Sequence, residues 1–171
     1  MINKEIEKKL NKQINLEFWS SQLYLSMSAY FSAKGLQGFA HWMFVQYQEE
    51  VTHALKFFNY LIERGGRVNL MPIASVNTEW ASTLDVFLET QTHEKEVTEK
   101  IYQLADLAVV NRDHATQSML RWFIDEQVEE EANVQAIIDK LNLVKDNGHA
   151  IYSIDKELAA RVFVDGTQTV Q

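Results

Sequence analysis

The chain has 171 residues, 46% hydrophobic and 23% charged, with a formal charge of −8 and no cysteine. That length suits one well-buried domain spanning residues 1–171, and the negative charge argues against nucleic acid, whose phosphates need a cationic face. Without cysteine there are no disulfides, zinc knuckles, iron–sulfur clusters or thiol nucleophile, which fits a reducing compartment. Residues 1–10 alternate charged and apolar side chains and lack the continuous apolar core of a signal peptide. No apolar run reaches membrane-spanning length, so the expected location is cytoplasmic, with no membrane partner.

One proline and six glycines leave long uninterrupted stretches. The first helix is expected from about Lys4 to Ala33, ending at Gly35 with Gly38 in the turn. The second runs from about Phe39 to Arg64 and stops at Gly65-Gly66. Arg67–Trp80 has no helical period and holds Pro72. Ser82 reads as an N-cap with Asp85 in the first turn of a third helix reaching about Val110. Asn111-Arg112-Asp113 turns the chain into a fourth helix, which extends to about Lys145. Asp146-Asn147-Gly148 ends it, and Ser153 is expected to cap a short fifth helix over 153–162, leaving a polar tail to residue 171. A second helix of about 26 residues is roughly 40 Å long, and the linker after it can span about 50 Å when extended. It can therefore return along the whole bundle and set the second and third helices parallel. The expected fold is all-α, a four-helix bundle with one long crossover and a short fifth helix.

Each long helix carries an apolar seam at helical spacing. Leu10, Glu17, Tyr24 and Phe31 form the first. Met43, Gln46, Glu50, His53 and Phe57 lie on the second, with Thr90, Glu94, Val97 and Ile101 on the third. Phe123, Gln127, Glu130 and Val134 lie on the fourth. Four glutamates thus occupy core positions where ionised carboxylates are rarely found unpaired. The helix midpoints fall near residues 18, 51, 96 and 129, so these acids meet at one height whichever way each helix points. The economical resolution is a pair of metal ions bound between the helices. Glu50 and His53 form the Glu-x-x-His element of carboxylate-bridged di-iron sites, and oxygen ligands with an imidazole suit iron or manganese. A histidine in a helix is more often a surface or satisfied core residue, and His41, His93, His114 and His149 are placed in that class because none falls on a seam. Glu49, Glu126, Glu129 and Glu131 flank the seams. Glu131 reads as solvated, whereas Glu49, Glu126 and Glu129 beside Glu130 suggest a third, weaker cation site. Tyr24 and Trp122 read as core aromatics, or as electron donors beside a redox metal pair.

Asn15-Leu16-Glu17, Gln48-Glu49-Glu50-Val51-Thr52-His53, His93-Glu94, Trp122, Glu126-Gln127-Val128-Glu129-Glu130 and Tyr152–Leu158 together resemble bacterial non-haem ferritin, over essentially the whole chain. The resemblance implies a ferritin-like di-iron domain, acting as a ferroxidase coupled to iron storage in a hollow homo-oligomeric shell of twenty-four subunits. It assigns Glu17, Glu50 and His53 to a first iron, and Glu50, Glu94 and Glu130 to a second, with Gln127 close by. Glu49, Glu126, Glu129 and Glu130 would form a third site, and Tyr24 the tyrosine beside the centre. Fe(II) and O2 (or peroxide) would be the substrates, and Fe(III) would pass to a mineral core. Gln127-x-x-Glu130 departs from the Glu-x-x-His of bacterioferritin, and Thr52 stands where that relative carries a haem-ligating methionine, so no haem is expected. Lack of cysteine argues against rubrerythrin. A mini-ferritin with ligands between subunits, a di-iron oxygenase acting on an organic substrate and a metal-free structural bundle are the competing readings.

Overall fold

A computed structural model describes residues 2–145 and 147–167; Met1, Asp146 and the end of the polar tail (168–171) lie outside the described residues. Among the described residues the chain forms five helices and no strand: α1 (Lys4–Ala33), α2 (Gln37–Glu63), α3 (Thr83–Val110), α4 (His114–Val144) and α5 (Gly148–Leu158). Each boundary has a local cause. Asn3 caps α1 by accepting the Glu5 N–H, Ser82 caps α3 through the Asp85 N–H, and Asp113 caps α4 through the Thr116 N–H; each satisfies a donor that a helix start leaves unpaired. Gly35 ends α1 at φ 78°, in the left-handed region where a side chain is strained.

The seams pack into two apolar clusters. One joins Leu23, Met27 and Phe31 of α1 to Phe39 and Met43 of α2, Phe87 of α3 and Val134, Ile137 and Leu141 of α4. The other joins Ile6, Leu10 and Ile14 of α1 to Phe57 and Leu61 of α2, Ile101, Leu104 and Ala108 of α3, and Leu120 and Phe123 of α4. The beginning of α1 therefore meets the end of α2, the end of α3 and the beginning of α4, which makes α1–α2 and α3–α4 antiparallel and α2–α3 parallel. Arg64 at the end of α2 forms a two-pronged ion pair with Asp113 (Nη1–Oδ1 2.9 Å, Nη2–Oδ2 3.0 Å) and ties that end of the bundle to the start of α4.

Residues 64–82 carry no helix and run back along α1, whose polar side chains hold them at successive levels. Asn11 donates to the Arg67 carbonyl (2.9 Å) and accepts the Asn69 N–H (2.6 Å). Ser26 donates to the Asn77 carbonyl (2.6 Å) and Tyr30 to that of Trp80 (2.9 Å). The order 11, 26, 30 against 67, 77, 80 is the direction the long crossover needs.

Two sequence expectations need correction. The fifth helix spans Gly148–Leu158, not 153–162: Asn147 Oδ1 accepts the Ala150 N–H and starts it earlier, so Ser153 lies exposed in mid-helix. Gly38 belongs to the first turn of α2 and not to the preceding turn. A Cβ there would lie 1.6 Å from the Asp155 carbonyl oxygen of α5. The missing side chain lets Asp155 Oδ1 accept the N–H groups of Gly38 (2.7 Å) and Phe39 (3.0 Å), capping α2 with a carboxylate from α5.

Candidate metal centre

Between the two apolar clusters lies a polar belt. Glu17, Glu50, His53, Glu94, Gln127 and Glu130 are all 0–4% exposed, at mid-helix positions on all four long helices. One carboxylate oxygen each from Glu17 and Glu50 and a ring nitrogen of His53 lie within 4.8 Å of one another, close enough to share a metal ion. His53 Nδ1 is 3.7 Å from Glu50 Oε2, and the imidazole is held edge-on by the rings of Trp122 and Phe123 at 5.4 and 5.9 Å. Glu94 and Glu130 do not join that three-residue group. Glu94 accepts from the Tyr24 hydroxyl and from Gln127 Nε2 (3.1 Å), while Glu130 Oε2 accepts from Gln46 Nε2 (3.0 Å).

Three glutamines serve these acids. Gln13 Nε2 donates to Glu17 Oε1 (2.8 Å), as Gln46 does to Glu130 and Gln127 to Glu94. Glu50 has no such donor, and its Oε2 and that of Glu17 are buried without a hydrogen-bond partner. Buried carboxylate oxygens without partners are costly in a finished core, and Glu50 Oε2 lies beside the imidazole that would complete a ligand set.

The electrostatics agree. Burial raises the Glu17 carboxyl well above its usual value, with the Glu50 charge adding to it. Burial and then the Glu94 charge do the same to Glu50. Glu130 is pushed up to about 7, by burial and then by Glu94. Burial also raises Glu94 and, with the Glu94 charge, the Tyr24 hydroxyl. Burial and mutual repulsion thus favour the protonated forms of these carboxyls, and a divalent ion would compete with those protons.

The flanking acids lie farther out. Glu49 and Glu126 are half-buried and Glu129 is exposed. Burial lifts Glu49 to about 7 despite the opposing effect of Arg161, and the charges of Glu130 and Glu126 reach it. Glu131, read from sequence as solvated, is half-buried and accepts from Thr98 Oγ1 (2.6 Å). His93 is buried: its Nε2 meets Ser20 Oγ at 2.8 Å, its ring lies 5.3 Å from that of Trp19, and burial lowers its pKa to about 4. It is a satisfied core histidine. His41, His114 and His149 are exposed. Trp122 is half-buried, with Lys56 Nζ 4.5 Å from its ring centre. Sequence reasoning missed the donor role of Gln13 and Gln46, although Gln46 lies on a seam and Gln13 sits four residues before Glu17, one turn away on the same face. It also missed Arg161, whose Nη2 donates to Glu49 Oε2 at 2.6 Å.

The profile of the family described as "Ferritin-like domain" matches residues 7–144. This chain belongs to the ferritin family. It is 45% identical to the bacterial non-heme ferritin of Bacteroides fragilis over 161 residues, covering 94% of this chain and all of that one. It is 40% identical to that of Staphylococcus saprophyticus, covering 95% and 98%. Among solved structures, a closed form of the Archaeoglobus fulgidus ferritin engineered by site-directed mutagenesis superposes with a TM-score of 0.94 at 44% identity, over 96% of this chain and all of that one. The open-pore ferritin of the same archaeon gives 0.93 at 44%, over 95% and 100%. These ferritins share the bundle, so the all-α expectation and the long crossover hold.

Proposed function

We propose that this chain is the subunit of a cytoplasmic iron-storage shell and oxidises Fe(II) at a centre inside its own bundle. The buried trio of Glu17, Glu50 and His53, with two carboxylate oxygens lacking a hydrogen-bond partner among the described residues, carries the reading. On it, Glu17, Glu50 and His53 hold one iron, and Glu50, Glu94 and Glu130 hold the second, with Gln127 beside it. Glu50 lacks an amide donor and so is the carboxylate best able to serve both ions. Each Fe(II) gives one electron to O2, which takes up two protons and leaves as hydrogen peroxide; the carboxyl protons displaced by iron are an immediate source. Tyr24, hydrogen-bonded to Glu94, is on this reading the stand-in donor: with a single Fe(II) bound, its phenol would supply the second electron and one of the two protons that O2 takes up. Fe(III) then passes by Glu49, Glu126, Glu129 and Glu130, the third site, toward a mineral core. Family membership supports self-association, and the resemblance to bacterial non-haem ferritin supports twenty-four subunits. The same resemblance, with Thr52 in place of a methionine, supports a shell without haem.

The oxygenase reading needs an organic-substrate pocket at the metals. Surface clefts of about 520 and 580 Å³ are lined instead by residues such as Lys12, Trp19 and Met71, and Phe18, Leu25 and Tyr47. None of Glu17, Glu50, His53, Glu94 and Glu130 lines either cleft. The deciding experiment adds excess Fe(II) in air to metal-free protein and follows iron through a sizing column. Iron far beyond a few atoms per chain, eluting with a very large particle, is expected. Iron limited to two or three per chain on a small species would remove storage and favour the oxygenase.

A further inference from the structure

Just after α5, the chain lays one arginine across α2. The Arg161 carbonyl meets His41 Nε2 at 2.7 Å, and its guanidinium carbon stands 4.5 Å from the centre of the Trp42 ring. Nη1 reaches the Trp42 carbonyl at 3.4 Å, and Nη2 donates to Glu49 Oε2 at 2.6 Å. The two side chains are 19% and 16% exposed. An exposed ion pair contributes little, but this guanidinium is stacked, hydrogen-bonded and mostly out of water, which strengthens its hold on the carboxylate. Glu49 adjoins Glu50, and the charges of Glu126 and Glu130 reach its carboxyl. A divalent ion taking Glu49 as a ligand would compete with a cation already in place, and the two would repel.

We propose that Arg161 is a tethered counter-cation for the third metal site. It neutralises Glu49 while that site is empty and must be displaced when metal binds there. Arg161 thereby weakens the third site relative to the pair, which favours passage of iron over retention, and filling the site loosens the segment after α5. This rests on the di-metal and third-site readings above.

The test is calorimetric titration of the metal-free, assembled full chain with Zn(II), which does not change redox state. Two tight equivalents and one weaker one per chain are expected. Arg161→Gln should tighten the weaker class about tenfold, the worth of a hydrogen bond to a charged group, and leave the tight pair unchanged. Arg161→Lys, which keeps a cation, should stay near the parent value. Glu49→Gln should lose the weaker class, and adding Arg161→Gln to it should restore nothing. A weaker class that Arg161→Gln leaves unchanged or weakens overturns the proposal, as does a gain that persists without Glu49. If Arg161→Gln does not assemble, hydrogen exchange in the parent protein decides. The Arg161 N–H, bonded to the Leu158 carbonyl at 3.2 Å, should lose protection as the weaker class fills, and unchanged protection overturns the idea. Absence of the weaker class in the parent would refute the third-site reading itself, and absence of the tight pair the di-metal reading, both separate results.

Discussion

Replacing Glu130 by glutamine should stabilise the metal-free protein at pH 8 while slowing iron oxidation. Glu130 is buried beside Glu94, and its carboxyl is raised from 4.5 to about 7. Because the folded value is raised, the native state binds the proton more tightly than the unfolded chain, and stability falls as pH rises between the two values. Ionising the group in the fold therefore costs about 3 kcal/mol above pH 7, from roughly 2.5 pH units at about 1.4 kcal/mol each. Glutamine removes the charge and keeps an oxygen to accept from Gln46. Denaturation midpoints of chelator-treated protein, at equal subunit concentration, should show no difference near pH 4.5. The variant should gain an advantage of up to about 3 kcal/mol by pH 8. Initial rates of Fe(II) oxidation should fall, since a proposed ligand is lost. A variant that is less stable at pH 8, or whose advantage does not vary with pH, would refute the electrostatic reasoning; full iron oxidation would remove Glu130 from the site.

Gln46→Leu takes the donor from Glu130 and should lower iron affinity or oxidation rate about ten- to a hundredfold, read by stopped-flow absorbance at unchanged helicity. Zn(II) binding at pH 6 should release protons from the raised carboxyls, measured calorimetrically in buffers of different ionisation enthalpy; no dependence on buffer would contradict the raised values. Phe57→Ala removes a ring stacked 3.8 Å from that of Phe123 and should cost about 3–5 kcal/mol by denaturant titration. Gly38→Ala drives a methyl into the Asp155 backbone, so α5 should become protease-sensitive while the four long helices keep their circular dichroism.

The long helices were legible because their apolar residues recur at helical spacing over many turns and because glycine or a capping side chain marks nearly every boundary. The seam residues chosen from the sequence, Leu10 to Phe31 on α1 and Phe123 to Val134 on α4, are buried. The fifth helix was misread because Gly148 looks like a terminator and Ser153 competes with Asn147 as a cap; eleven residues give too few turns for periodicity to arbitrate. His93 lies off the α3 seam yet is buried, because Trp19 and Ser20 widen the face α1 presents to it. Arg161 carried no signal at all. A lone arginine at the end of a short expected helix shows no period, and its partner Glu49 lies 112 residues away.

What the belt uses to satisfy its acids argues for its purpose. A core that only needed to quiet its carboxylates could pair them with arginine or lysine, as Arg64 does for Asp113 at the bundle's end. At Glu17, Glu94 and Glu130 the partners are instead Gln13, Gln127 and Gln46. Amides fix the direction of a carboxylate and add no positive charge, so the negative potential of the belt survives for an incoming cation. Apolar clusters on both sides hold the four helices at fixed spacing, so the acids cannot relieve their repulsion by moving apart. Arginine meets the belt at its margin, where Arg161 pairs with Glu49. The charge balance is thus left open at the centre and closed at the edge, which is the arrangement expected when metal is to be captured inside and released outward.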